Sequence, residues 1–271
     1  MAEEYAYITG GASGIGREVA RMLVKNNIKV FIIDRDIDGA QKLVDELNKE
    51  SQVARCAHVD AASWNSQAKA FSQAVADFGR IDYVYPVAGI GERPWIPNDP
   101  SLSGFEAPDL AVLDVDLIGV LYTIALAVQQ FRKQVPGKHG FRGKKHIVLI
   151  VKSVKNRMCG RDTDQMCPVC LLSYQITCNA VCPNVVRTNI SSGAFYDTLE
   201  KEGVLTPMHG VVETFEKLLG ATDTSGECFE VGPNYDTQGA VPRKMAEPLD
   251  KESARVVELL YQRGHSLHQP R

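Results

Sequence analysis

The stretch Thr9-Gly10-Gly11-Ala12-Ser13-Gly14-Ile15-Gly16 lies between an apolar run, Tyr5-Ala6-Tyr7-Ile8, and a segment in which Val19, Ala20, Leu23 and Val24 recur at helical spacing. A buried strand that passes through a glycine-rich turn into a helix presents unpaired backbone N–H groups at the turn, and these suit a pyrophosphate. Each glycine has its own steric reason. Gly10 permits a tight turn off the strand, Gly14 lets an anion approach the backbone, and Gly16 lets helix and sheet pack closely. Ser13 and Ile15 belong to the same cradle at the start of the helix.

A second apolar run, Lys29-Val30-Phe31-Ile32-Ile33, ends in Asp34. An acidic side chain there accepts hydrogen bonds from an adenosine ribose and repels a 2′-phosphate, which favours NAD over NADP. Arg35 follows directly, and an arginine at this point stacks on adenine or pairs with a 2′-phosphate, so NADP stays open as the alternative. Strand and helix signals then alternate. Helices are expected over 37–49, 64–78 and 110–131, and strands over 53–59, 81–85, 145–151, 176–181 and 228–231. This order predicts an α/β fold in a single domain over 1–271: a doubly wound parallel sheet of Rossmann type, layered α/β/α. Asp60 closes the third strand and reads equally well as a ligand for an adenine amino group or as the cap of a helix beginning near Ser63. Ala88 and Gly89 follow the fourth strand and have almost no side chain, so a ribose and nicotinamide can lie against the backbone there. Residues 91–104 read as a surface loop, and Leu249 to Arg263 as an amphipathic terminal helix.

The 271 residues are 44% hydrophobic, enough for a sizeable core, and the net charge of -3 gives no electrostatic pull towards nucleic acid or an anionic membrane. Neither is expected as a partner. Met1-Ala2-Glu3-Glu4 runs straight into the first strand, and no apolar run reaches about 18 residues, so the chain reads as cytoplasmic. Seven cysteines, an odd number, do not make a disulfide framework. Cys167 and Cys170 have the spacing of a metal or redox pair, and Cys159, Cys178 and Cys182 lie nearby, but Cys178 and Cys182 fall in an expected buried strand, so no metal site is expected. His139, His146 and His209 read as surface or core residues.

Taken in order, the glycine turn, Asp34, Asp60, Ala88-Gly89, Val115-Asp116-Leu117-Ile118-Gly119-Val120, the His146-Ile147-Val148 strand leading to Ser153, and Asn179-Ala180-Val181-Cys182-Pro183 resemble the short-chain dehydrogenase/reductase family over nearly the whole chain. The resemblance implies hydride transfer between a nicotinamide and a carbonyl or alcohol carbon. It also implies that Val186 and Thr188, in Asn184-Val185-Val186-Arg187-Thr188, stand where the family has a proline-glycine turn and a threonine near the carboxamide. Family members use Asn, Ser, Tyr and Lys, with Tyr as acid or base. Here Asp116 occupies the Asn position, Ser153 matches, and no Tyr-x-x-x-Lys follows it. The candidate acid is Tyr174, with Cys178 in the place of the lysine; lacking a neighbouring cation, its phenol would titrate near 10, about three units above neutral pH. The crossover between the fifth and sixth strands is shortened, Pro168 interrupts it, and the helix that forms the family's main subunit interface looks truncated, which leaves a homo-oligomer open.

Three readings of that gap stand together: a lost coding segment between Cys170 and Leu171, a nucleotide-binding protein without hydride chemistry that serves as a non-redox catalyst or interaction partner, and a working reductase with Tyr174 as acid. The expected activity is an NAD(P)-dependent oxidoreductase interconverting a secondary alcohol and a ketone. Phe195, Tyr196, Leu199, Val204 and Leu205, in the segment expected to close over the site, suggest a small to medium, moderately apolar substrate.

Overall fold

The computed structural model describes residues 3–91, 93–94, 103–147, 175–220, 223–242 and 251, with 144–147 described by their backbone alone. In chain order the elements begin β1 (Glu4–Thr9), α1 (Gly14–Lys25), β2 (Ile28–Asp34), α2 (Ile37–Leu47), β3 (Ala54–His58), α3 (Trp64–Phe78) and β4 (Tyr83–Pro86). Then come α4 (Ala111–Lys133), β5 (Gly143–Ile147), β6 (Ile176–Pro183), α5 (Gly193–Lys201), α6 (Met208–Glu216), β7 (Cys228–Val231), α7 (Tyr235–Gln238) and β8 (Val241–Pro242). The strands form one eight-stranded sheet in the order β3-β2-β1-β4-β5-β6-β7-β8. Every pair from β3 to β7 is parallel, and β8 adds antiparallel to β7. This is the expected doubly wound sheet, with an edge strand that the sequence pattern did not announce.

Alternation along the central strands fixes both faces. Ala6, Ile8, Val30 and Ile32 turn to one side, where they pack with Val19 and Leu23 of α1, Leu43 of α2 and Phe215 of α6. Tyr7, Phe31, Ile33 and Val84 turn to the other, against Phe71 and Ala74 of α3 and Ile124, Ala127 and Phe131 of α4. Tyr7 meets Phe71 edge-on with ring centroids 4.8 Å apart. The chain leaves β1 and β4 in opposite directions across the sheet, so a crevice opens between their carboxyl ends.

Several boundaries differ from expectation for local reasons. Ser63 caps α3 by accepting the Ser66 N–H, whereas Asp60 accepts the Ala62 N–H at 3.0 Å in a turn of its own, so Asp60 is not the cap. The helix α6 begins at Met208, directly after Pro207. Within α4, residues Asp114–Gly119 form a π-helical turn. The Gly119 carbonyl there accepts from Gln67 Nε2 at 2.9 Å and from Thr123 Oγ1 at 3.0 Å, and a Cβ on Gly119 would stand 2.7 Å from the Ala61 carbonyl oxygen. Glycine lets α4 press onto the loop before α3 at this point.

α4 bears on the expectation that no apolar run reaches about 18 residues. By length and composition alone Ala111–Lys133 qualifies, with a mean hydropathy of 2.1. Asp114 and Asp116 had broken the apolar run in the sequence; in the fold the helix lays Ile124, Ala127 and Phe131 onto the sheet. β5 and β6 pair in parallel from Gly143↔Ile176 to Ile147↔Ala180, as expected of neighbours. The shortened crossover that joins them, and the terminal helix apart from residue 251, lie outside the described residues.

Candidate nucleotide site and active site

The crevice between β1 and β4 is built by the opening glycines. Gly10 has φ +70°, its N–H donates to the Ile33 carbonyl at 2.8 Å, and a Cβ there would stand 2.6 Å from the Ala88 Cα. A side chain at Gly16 would overlap the Gly10 carbonyl oxygen. Gly14 has φ +52°. These are places where the fold requires glycine for its backbone angle or for lack of room.

Thr9, at the end of β1, accepts from the N–H groups of both Val87 and Ala88 at 3.0 Å. It is 2% exposed and locks the turn after β1 to the end of β4. The sequence reading put Thr9 at the head of the glycine turn without giving it a role of its own, although a polar residue ending an apolar strand was the available signal.

Ser13 starts α1 with extended backbone (φ -151°, ψ 174°), makes no side-chain hydrogen bond to the helix, and no acidic residue stands in the first turn. By contrast Asp36, Ser63 and Ser192 each satisfy an amide at the start of α2, α3 and α5. The start of α1, with Ile15 and Gly16 in its first turn, therefore offers uncapped N–H groups and the positive end of the helix dipole to an anion. A diphosphate suits these donors chemically, because they are backbone amides left open at a helix start.

Asp34, at the end of β2, does more than wait for a ribose. Its Oδ2 accepts the Ala12 N–H and its Oδ1 the Asp36 N–H, both at 2.9 Å. The carboxylate holds the glycine turn in shape, and each oxygen keeps a lone pair for a further donor. Arg35 and Asp60 are exposed beside it. Ala88 and Gly89 continue β4, and Asp116, in the π-turn of α4, accepts the Ile90 N–H on Oδ1 at 2.8 Å, with a Cβ on Gly89 placed 3.4 Å from that oxygen. From the other side, Val186 bridges to Thr206, and Thr188 Cγ2 would lie 3.1 Å from a Cβ on Gly14. The structure thus gathers Gly10, Ser13, Gly14, Ile15, Gly16, Asp34, Ala88, Gly89, Asp116, Val186 and Thr188 at the carboxyl edge of the sheet. Ser153 and Tyr174 lie outside the described residues, as do Cys159, Cys167 and Cys170.

Cys182 Sγ is 3.2 Å from Cys228 Sγ on the neighbouring strand, and among the described residues no group of three or more His, Cys, Asp or Glu could hold a metal. His139 and His209 each lie beside a carboxylate. His139 Nε2 lies 3.3 Å from Glu4 Oε1, and His209 Nε2 2.7 Å from Asp236 Oδ1.

Residues 4–139, half of the chain, match the model of the short chain dehydrogenase family. The chain belongs to that family. The matched residues contain the cradle, Asp34, Asp60, Ala88, Gly89 and Asp116, and they end before Ser153. Among relatives of this family member, 5′-hydroxyaverantin dehydrogenase of Dothistroma septosporum is 31% identical over 154 residues, a stretch covering 53% of this chain and 50% of that one. The match therefore spans only half the length of that relative. L-rhamnose 1-dehydrogenase (NAD(P)(+)) of Azotobacter vinelandii is 25% identical over 219 residues, covering 74% of this chain and 80% of its own. In three dimensions, 3-ketoacyl-(acyl-carrier-protein) reductase from Brucella melitensis, solved with NADH, superposes with a TM-score of 0.67 at 21% identity, over 85% of this chain and 97% of that one. That likeness extends the family's fold well past the matched residues 4–139.

Proposed function

We propose that the chain is one nucleotide-binding domain and acts as an NAD(P)-dependent oxidoreductase, interconverting a secondary alcohol and a ketone on a small to medium, moderately apolar substrate. The observation that carries this is the uncapped start of α1, set against Gly10, Gly14 and Ala88 in the crevice between β1 and β4. The diphosphate of the nucleotide would rest on the amides from Ser13 to Gly16. Asp34 would take the adenosine ribose, which favours NAD, and Arg35 leaves room for NADP. Ala88 and Gly89 would line the far ribose, and Val186 and Thr188 the carboxamide. When bound, the nicotinamide supplies the hydride acceptor or donor.

The chain's own groups then manage the substrate oxygen and its proton. Ser153 would hold the oxygen by a hydrogen bond, and Tyr174 would give or take the proton. Asp116, anchored by Ile90, would fix a water in the relay; as a carboxylate it accepts from that water and, unlike an amide, has no N–H to donate. The relatives named above as dehydrogenases, one of them with NAD(P)(+), support the reaction class.

A second reading keeps the nucleotide and removes the redox step: a protein that binds a dinucleotide and serves as a non-redox catalyst or interaction partner. Its support is the missing Tyr-x-x-x-Lys after Ser153. Titrating purified protein with NADH and with NADPH, then following absorbance with a panel of apolar ketones and secondary alcohols, separates the two. Binding with turnover supports the oxidoreductase, and binding without turnover on the whole panel supports the second reading. No binding of either nucleotide at millimolar concentration overturns both.

A further inference from the structure

The turn after β6 reaches the nucleotide cradle through Thr188, whose Cγ2 would lie 3.1 Å from a Cβ on Gly14. The Thr188 hydroxyl is in turn 3.2 Å from the hydroxyl of Tyr196, on α5. Tyr196 is the buried residue of that helix, at 2% exposed, while Phe195, Asp197, Thr198 and Glu200 around it face solvent. Arg187 adds a second attachment. Its Nη2 pairs with Asp197 Oδ1 at 2.9 Å and Glu200 Oε2 at 2.8 Å, and its guanidinium carbon stands 5.5 Å from the centre of the Tyr196 ring.

The two attachments differ in strength. The partners of Arg187 are exposed, and exposed ion pairs of this kind contribute about 0–1 kcal/mol. The phenol is desolvated along with its ring, so its hydrogen bond and the ring's apolar burial are what seat α5 on the body of the protein. Thr188 therefore faces two ways, with its methyl towards the phosphate-binding turn and its hydroxyl towards α5.

We infer that Tyr196 is a positioning residue: its hydroxyl fixes the Thr188 side chain against the phosphate-binding turn, and so couples the seating of α5 to nucleotide binding. This rests on the nucleotide reading given above. A nucleotide in the cradle presses on Thr188, Thr188 holds the Tyr196 hydroxyl, and Gly193–Lys201 becomes more protected. Loosening the hydroxyl pair leaves the cradle in place but lets Thr188 turn among its rotamers, which weakens affinity without removing it.

The test uses Tyr196→Phe, which keeps the buried ring, together with Thr188→Val, which keeps the methyl. Losing one neutral hydrogen bond should raise the dissociation constant for NADH about threefold to tenfold in Tyr196→Phe. Adding Tyr196→Phe to Thr188→Val should change nothing further, because the hydroxyl pair is already gone. Hydrogen exchange at saturating NADH gives a readout independent of affinity. Amides of 193–201 should be slowed by nucleotide in the parent, and not slowed in Tyr196→Phe or Thr188→Val. If Tyr196→Phe does not fold, the contrast between the parent and Thr188→Val, which keeps the methyl and loses only the hydroxyl, decides the matter in exchange at saturating NADH. Nucleotide protection of 193–201 in Tyr196→Phe and Thr188→Val equal to that of the parent overturns the coupling while leaving the nucleotide reading intact. A parent that binds neither NADH nor NADPH overturns the nucleotide reading itself.

Discussion

The two edges of the parallel sheet are built on opposite terms. At the carboxyl edge the chain turns on glycines, Ser13 leaves the start of α1 uncapped, and the Asp34 carboxylate is spent on shaping the turn. At the amino edge nearly every charge meets a partner. Glu4, 8% exposed, takes Lys138 Nζ at 2.7 Å, His139 Nε2 at 3.3 Å and the Tyr83 hydroxyl at 3.0 Å. Asp82 takes the Arg80 guanidinium at 2.7 Å and the Tyr5 N–H at 3.0 Å. An edge that binds an anion must keep donors open, whereas an edge that only closes the fold fills them. Substitutions at the first edge should change binding, and those at the second stability alone.

The largest effect is expected at Gly10. Alanine there must adopt φ +70° and place a Cβ 2.6 Å from the Ala88 Cα, so Gly10→Ala should lose about 2–4 kcal/mol of stability by denaturant unfolding and bind no nucleotide detectably. Nucleotide binding at parental affinity would remove the cradle from the account. Asp34→Ala comes next. Two amides lose a charged acceptor, at about 1.5–3 kcal/mol, and the preference for NADH over NADPH should fall by roughly tenfold in paired titrations. An unchanged preference would leave Asp34 a purely structural residue.

Asp116 offers a finer cut at the same edge. Asparagine keeps an acceptor for the Ile90 N–H, so Asp116→Asn should melt with the parent, whereas Asp116→Ala should cost about 1 kcal/mol. With a substrate in hand, Asp116→Asn should turn over at least as fast as the parent, since an amide both accepts from and donates to a relay water. Slower turnover at parental stability would assign the negative charge itself a role.

How much of each edge was legible in the sequence follows from the same contrast. The glycine turn was readable because its constraints, a positive φ at Gly10 and no room at Gly16, act within a few residues of one another. Asp34 was found, but its part in holding Ala12 was not, because that bond joins two elements whose approach only the fold reveals. The amino edge was invisible for the same reason: Glu4 and Tyr83 are 79 positions apart, and nothing near either predicts the other. Asp60 was ambiguous between ligand and cap because Ser63 competes for the cap and wins by its closer register to Ser66. The π-turn had no local signature, since the Gly119 carbonyl it frees is satisfied by Gln67 from another helix. The chain order of the seven parallel strands was legible, because alternating apolar runs and helical periodicities survive whatever the loops do; the short antiparallel β8 was not.

The smallest effect, and the cleanest separation of the edges, is expected from Asp82. Burial pushes its carboxyl above the ordinary aspartate range, and the Arg80 guanidinium and the Tyr5 N–H pull it back only in part. A group whose folded pKa is raised holds its proton longer in the native state than in the unfolded one. Its stabilising contribution is therefore complete below the unfolded value, near 3.9, and is lost as pH rises from there through the folded value. Asp82→Asn removes that titration. Denaturant unfolding of parent and variant at steps from pH 4 upward should show the parent losing ground to the variant as pH rises, with the gap levelling once Asp82 is ionised in both states. NADH affinity should be the same for both at every pH, because Asp82 stands at the end of β4 away from the cradle. Parallel stability curves would mean that Arg80 fully offsets burial, and a shift in NADH affinity would show that the two edges are not independent.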